Sequence, residues 1–183
     1  SSKVLKVANG TYAGNILLYG QGYIFRAPDA VNFVSDNTYR GYDRQIIEAA
    51  NGDLYLFYGV YVNPNTNPKI AKSTDGGATW VDLAITGLPT NFQFNYSAID
   101  GTTNILFHGY DYTTQTQKTY KVVGTTATQI TMPNTNGLNN LFFQNNKFYA
   151  SQFSTYYYTS NLGTTWTPVG FSGNKVFPIK NAS

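Results

Sequence analysis

The side chains able to do acid–base, anion-binding or metal chemistry are few and unevenly placed. The carboxylates are Asp29, Asp36, Asp43, Glu48, Asp53, Asp75, Asp82, Asp100 and Asp111, and none follows residue 111. The arginines, Arg26, Arg40 and Arg44, fall within 19 residues, His108 is the one histidine, and there is no cysteine. Glycoside hydrolysis needs two carboxyl groups facing each other across a cleft. Asp43 with Asp111 would serve in principle, but their spacing does not single them out. One histidine and no thiol give little for a zinc site or a Ser-His-Asp triad. No catalytic residue, metal ligand or cofactor is therefore assigned.

The composition points to a β-rich chain that stays in solution through amides and hydroxyls. Of 183 residues only 11% are charged, against about 25% in typical soluble domains. Aromatics reach 16%, with 16 Tyr and 12 Phe, and apolar content is 42%, enough for a core. The net charge of +3 is small, and Lys and Arg do not cluster, so a nucleic-acid partner is not expected. No apolar run approaches the ~18 residues of a membrane span. The absence of cysteine excludes a disulfide framework without excluding an extracellular location. The chain opens Ser1-Ser2-Lys3 without Met, as expected of a processed product or a piece of a longer one.

The elements that must position these groups come from an internal repeat. Trp80 and Trp166 are 86 residues apart, two periods of 43. Asp75-Gly76-Gly77-Ala78-Thr79-Trp80 lines up with Asn161-Leu162-Gly163-Thr164-Thr165-Trp166. Between them, KTYKVVGTTATQITM (118–132) aligns without a gap to KIAKSTDGGATWVDL (69–83), pairing Thr128 with Thr79. Upstream, YIFRAPDAVNFV (23–34) sets Asp29 against Asp75 and Phe33 against Trp80 after one deletion. Short apolar-aromatic runs precede each copy, so each unit reads as four antiparallel strands in about 40–50 residues, the size of a propeller blade. The expected architecture is an all-β propeller of about four blades, at 1–37, 38–85, 86–133 and 134–172. Residues 173–183 are expected to close the ring or to start a further blade.

Ser73-x-Asp75-x-Gly77-x-Thr79-Trp80 resembles the Asp-box, or BNR, repeat of sialidases and other secreted propellers. The copy at 159–166 keeps Asn161, Gly163, Thr165 and Trp166, with Thr159 for Ser. A carboxylate or amide in such a turn accepts main-chain N–H groups, the glycine supplies a positive φ, and the tryptophan packs between sheets. All of these are structural roles. Asn161 retains an acceptor but no charge, which suits folding and not acid–base work. The sialidase resemblance implies an arginine triad, a Tyr–Glu nucleophile pair and an Asp acid. Phe25-Arg26-Ala27-Pro28 is similar to that family's F/Y-R-I-P motif, but no arginine follows residue 44 to complete a triad.

Strand order sorts the loops. In a four-stranded blade the 1–2 and 3–4 turns share one end, so the Asp-box turns sit away from the 2–3 and 4–1 loops. That opposite end collects Tyr39, Arg40, Tyr42, Arg44, Tyr58, His108 and Tyr110, the expected ligand-binding residues, with Tyr61, Asp111 and Tyr112 nearby. Tyrosines with a few charges suit glycans. The expectation is a non-catalytic recognition module, extracellular or on a cell or virion surface, for carbohydrate or a protein partner. The alternatives are a fragment of a sialidase-like glycoside hydrolase, and a structural propeller docking in a larger assembly. Further blades or an oligomer partner would join through 173–181.

Overall fold

The computed structural model describes residues 2–20, 23–36, 41–101, 103–134 and 137–170. They form four antiparallel four-stranded sheets, each built from strands consecutive in sequence. The first holds β1 (Lys3–Lys6), β2 (Ile16–Gly20), β3 (Tyr23–Ala27) and β4 (Val34–Asp36), and the second β5 (Tyr42–Glu48), β6 (Leu54–Val62), β7 (Asn65–Ser73) and β8 (Val81–Asp82). The third holds β9 (Phe92–Ile99), β10 (Ile105–Asp111), β11 (Thr116–Val123) and β12 (Thr126–Ile130). The fourth holds β13 (Asn140–Gln144), β14 (Lys147–Gln152), β15 (Thr155–Thr159) and β16 (Thr167–Pro168). Strands β5, β9 and β13 lie side by side, so the sheets fan out as blades from a common centre. This is an all-β propeller architecture.

The apolar residues divide into three clusters, one at each junction between successive blades. Val7, Leu17, Tyr19 and Ile24 of blade 1 meet Ile46, Leu54, Leu56, Tyr58 and Trp80 of blade 2. Tyr55, Phe57 and Ile70 of blade 2 meet Phe92, Phe94, Phe107 and Tyr120 of blade 3. There the rings pack largely edge to face, with Phe107 stacked on Tyr120 at 5.2 Å and 13°. Leu106 and Ala98 of blade 3 meet Leu141, Phe148 and Ala150 of blade 4, flanked by Trp166. Side chains alternate across a strand, so a blade covered on both faces needs apolar residues at every position. Leu54, Tyr55, Leu56, Phe57 and Tyr58 of β6 meet that demand, all at 3% exposure or less.

Polar ties reinforce the junctions. Glu48, ending β5, accepts the main-chain N–H of Ala8 at 2.9 Å and that of Asn9 at 2.5 Å. The strand leaving blade 2 bridges to blade 3, with Thr86 N donating to Thr125 O and Ala127 N to Thr86 O.

Two copies of the turn motif differ from the sequence alignment. In blade 3, Lys121 pairs with Thr128, whereas in blade 2 its counterpart Lys72 pairs with Val81. The gap-free match of Thr128 to Thr79 is thus corrected. The third copy has lost the long turn and closes as a tight hairpin at Gly124-Thr125, with Gly124 at φ +59°. In blade 1, Asp29 receives the nearer amides of Val31 and Asn32, and Phe33 is 45% exposed where Trp80 is 7%. The segment 173–181, expected to close the ring, lies outside the described residues.

Candidate functional site

The turn motif is a closed hydrogen-bond unit. Asp75 accepts Thr79 N at 2.8 Å and the Thr79 hydroxyl at 2.6 Å, while Ser73 Oγ donates to Asp75 and accepts Gly77 N at 2.9 Å. Burial raises the Asp75 pKa, and the donors of Thr79, Ser73 and Ala78 outweigh it, leaving the pKa below its ordinary value. Asn161 repeats the pattern: its Oδ1 accepts Thr165 N at 3.0 Å, its Nδ2 donates to the Thr165 hydroxyl, and Thr159 takes the serine's place. Gly77 and Gly163 have φ of +89° and +76°, and each presses its Cα against the preceding blade, on Leu17 and Ile130. The turn of blade 2 lies beside Tyr12 and Asn15, in the 1–2 connection of blade 1. It therefore occupies the end of the propeller that collects the 1–2 turns, and the side chains of Ser73, Asp75 and Thr79 are used in closing the turn there.

The opposite end gathers the β6–β7, β10–β11 and β14–β15 hairpins with the connections between blades. It is knit by amides: Asn91 Oδ1 accepts Thr66 N at 3.1 Å, and Gln152 Nε2 donates to Asn134 O at 2.9 Å. Tyr110 and Tyr112 stand edge to face with ring centres 5.0 Å apart, and the Tyr112 hydroxyl donates to Gln93. Beside them a cavity of about 250 Å³ opens on the blade 4 side of blade 3, lined by Thr116, Gln117, Gln129, Thr131 and Met132, with His108 at its base.

Two described charged groups at this end, Lys118 and Asp111, pair with each other. Lys118 Nζ lies 2.6 Å from Asp111 Oδ2, and Asp111 also accepts Thr113 N and Thr114 N. Burial pushes the Asp111 carboxyl up, but Lys118 and the two amides prevail and hold it below the usual carboxylate range. His108 is 2% exposed; its Nδ1 is 2.8 Å from the Thr119 hydroxyl, and its Nε2 accepts Leu138 N at 3.1 Å from blade 4. Burial pulls its pKa down to about 4, against a smaller upward pull from Gln117. A ring accepting a main-chain N–H at Nε2 is the neutral tautomer protonated at Nδ1, so His108 fastens two blades together.

The expected binding residues therefore separate. Tyr110 is half-exposed beside the cavity. His108 and Tyr58 are corrected to interior positions: Tyr58 is 3% exposed at the junction of blades 1 and 2, its hydroxyl donating to Asp82 at 2.6 Å. Tyr42 and Arg44 belong to β5, their side chains outside what is described, and Tyr39 and Arg40 lie outside the described residues. The amide and hydroxyl lining, Thr116, Gln117, Gln129 and Thr131, carried no signal in the sequence because such residues are everywhere in it. Their position at the ends of adjacent strands, read from the repeat, was the available cue.

The described carboxylate side chains are engaged in turns, in ion pairs or, for Glu48, in holding main-chain amides of the neighbouring blade. Asp29, Asp75 and Asp100 cap turns, Glu48 holds Ala8 and Asn9, Asp53 and Asp111 pair with Lys72 and Lys118, and Asp82 binds Tyr58 and Lys69. Among the described residues no group of three or more His, Asp or Glu side chains could hold a metal ion, and no helix is long and apolar enough to cross a membrane.

No protein-family model matches the chain, and a search of curated proteins gives no match. Among solved structures, the chain is similar to a catalytically inactive histidine-to-alanine variant of virginiamycin B lyase from Staphylococcus aureus, solved with quinupristin, at a TM-score of 0.62 and 12% identity. The match takes in 92% of this chain and 54% of that one, so the chain spans about half the length of that protein. At this identity the likeness is one of fold, and the fold is a β-propeller.

Proposed function

We propose that this chain is a non-catalytic recognition propeller of the Asp-box type. In this reading it binds carbohydrate at the loop end, in the cavity lined by β10, β11, β12 and the segment that follows them, next to Tyr110, on an extracellular, cell or virion surface. The observation that carries it is the lining. The amides and hydroxyls of Thr116, Gln117, Thr119, Gln129 and Thr131 line a cavity of about 250 Å³ together with Ile130, Met132 and the Asp111-paired Lys118, and Tyr110 stands opposite Gln117 in the strand register. Neutral polyhydroxylated rings match such a surface, with hydrogen bonds at their edges and C–H faces on tyrosine.

Catalysis is the weaker reading. A glycosidase needs a carboxylic acid and a carboxylate free to face the substrate, and the described carboxylates serve turns and ion pairs. The lyase neighbour is inactive as a histidine-to-alanine variant. Here the one histidine is buried, with both ring nitrogens in hydrogen bonds, which argues against comparable chemistry at His108.

A glycan array on the chain tests the proposal, followed by titration of the best ligand against Tyr110→Ala and Gln117→Ala. Weakening of ten-fold or more in both variants, with unchanged melting, is the expected result. Absence of binding to any glycan, or full affinity in both variants, overturns the carbohydrate reading. Turnover of a fluorogenic sialoside would favour the hydrolase instead.

A further inference from the structure

Among the described residues lining the loop-end cavity, Lys118 is the one with a fixed charge, and its counter-ion stands outside the lining. Lys118 lies on β11 opposite Gly109 of β10, a position without a side chain, and Asp111 lies two residues further along β10. Diagonal neighbours in an antiparallel pair are within reach of a long side chain. The lysine reaches across, and its Nζ meets Asp111 Oδ2 at 2.6 Å. The two side chains are 19% and 7% exposed, so solvent and salt screen the pair only weakly.

Asp111 is fixed from the other side. Its Oδ1 accepts Thr113 N at 2.8 Å and Thr114 N at 3.1 Å, which leaves Oδ2 for the lysine. His108, at the cavity base, adds no charge, since its Nε2 accepts Leu138 N. The cavity therefore presents a cation whose charge is cancelled from behind. An anionic ligand engages Lys118 only by drawing it off Asp111, which leaves a buried carboxylate without its counter-ion and sets two like charges close together. An uncharged ligand does neither.

We propose that Asp111 determines the specificity of this site: by pairing with Lys118 from outside the lining it sets the cavity for uncharged sugars, and loss of its charge turns the same cavity towards acidic sugars such as uronates. This rests on the carbohydrate reading of the cavity and adds to it the residue that decides the ligand's charge. Asparagine at this position isolates the effect. It keeps an oxygen for the amides of Thr113 and Thr114 and supplies no charge to cancel Lys118. Lys118 then faces the cavity as an ammonium with a donor for a carboxylate, which makes a charge-assisted contact.

Titration of the isotope-labelled chain by NMR tests this, following the amides of Thr116, Gln117 and Thr119. The probes are glucose and galactose, the matching uronates glucuronate and galacturonate, and acetate as a bare carboxylate. Wild type is expected to bind the hexoses at least about ten-fold more tightly than the uronates and to ignore acetate. Asp111→Asn is expected to bind the uronates at least about ten-fold more tightly than wild type does, and the double variant Asp111→Asn/Lys118→Met to lose that gain. Asp111→Ser, whose hydroxyl also accepts a turn amide, is the second variant and must change in the same direction. Uronates that bind wild type as tightly as hexoses, no gain in either Asp111 variant, or a gain that survives the loss of Lys118 each overturn the proposal. The glycan array decides the carbohydrate reading, and the uronate and acetate gain decides the role of Asp111, so the two failures are read from different ligands.

Discussion

Thr79 closes its turn on Asp75 twice, its N–H 2.8 Å from one carboxylate oxygen and its hydroxyl 2.6 Å from the other. Thr165 closes on Asn161 in the same two places, with the hydroxyl bond reversed so that the Asn161 amide donates. The turn thus needs two hydrogen-bonding atoms at this position, which an amide supplies as a carboxylate does. Asp75→Asn and Asn161→Asp are each expected to change stability by less than about 1 kcal/mol, whereas Asp75→Ala costs about 1–3 kcal/mol by stranding the Thr79 and Ser73 donors. Urea unfolding of the three variants checks the contrast.

Positive φ and close approach can be separated in two glycines. Gly77 at φ +89° would set a Cβ 2.7 Å from Leu17 Cδ2, while Gly124 at φ +59° has nothing within 4 Å. Gly124→Ala carries only the backbone cost, roughly 1 kcal/mol. Gly77→Ala adds a clash at the junction of blades 1 and 2 and loses at least about 1 kcal/mol more. Thermal denaturation of the pair measures the difference.

Glu48 is the polar clasp of that junction, receiving Ala8 N and Asn9 N from blade 1. Glu48→Ala is expected to cost about 1–3 kcal/mol, since two amides lose a charged acceptor. For a domain of this size that lowers the melting temperature by about 2–4 °C per kcal/mol. Amide exchange at Ala8 and Asn9 should quicken while exchange in β14 stays unchanged.

Stability should fall with acid in two separable steps. His108 is held near 4 in the fold and returns to its ordinary 6.5 when exposed. Below 6.5 the unfolded chain binds a proton that the folded chain refuses, so stability declines from about pH 6.5 and levels off near pH 4, by on the order of 3 kcal/mol. Asp75 and Asp111 have the opposite sense: their folded pKa values are depressed, so their contribution is complete above the ordinary carboxylate pKa of 3.8 and lost below it. Denaturant titrations from pH 3 to 8 should lose the upper step in His108→Gln and keep the lower one.

The repeat was legible because a blade writes its strands and turns into adjacent residues. The 86-residue spacing of the tryptophans and the Asp75 and Asn161 turns are local patterns, and the four sheets follow from them. The blade 3 hairpin was misaligned for an equally local reason. Two glycine-threonine turns of different length look alike when only residue types are matched, and the difference lies in which residues pair, Lys121 with Thr128 or Lys72 with Val81.

Exposure could not be read in that way. Tyr58 and His108 stand near the loop end in sequence, as Tyr110 does, yet the first two are buried and the third is not. A strand's alternation assigns each side chain to a face, and the neighbouring blade decides whether that face is covered. By itself the sequence determined an all-β chain of four repeated units and turns that serve structure, because those properties depend on composition and short-range hydrogen bonds. The tertiary structure alone decided that His108 fastens two blades and that the described carboxylates are spent on turns, ion pairs and a clasp between blades. Each of these depends on which distant residues the packing brings within a few ångströms.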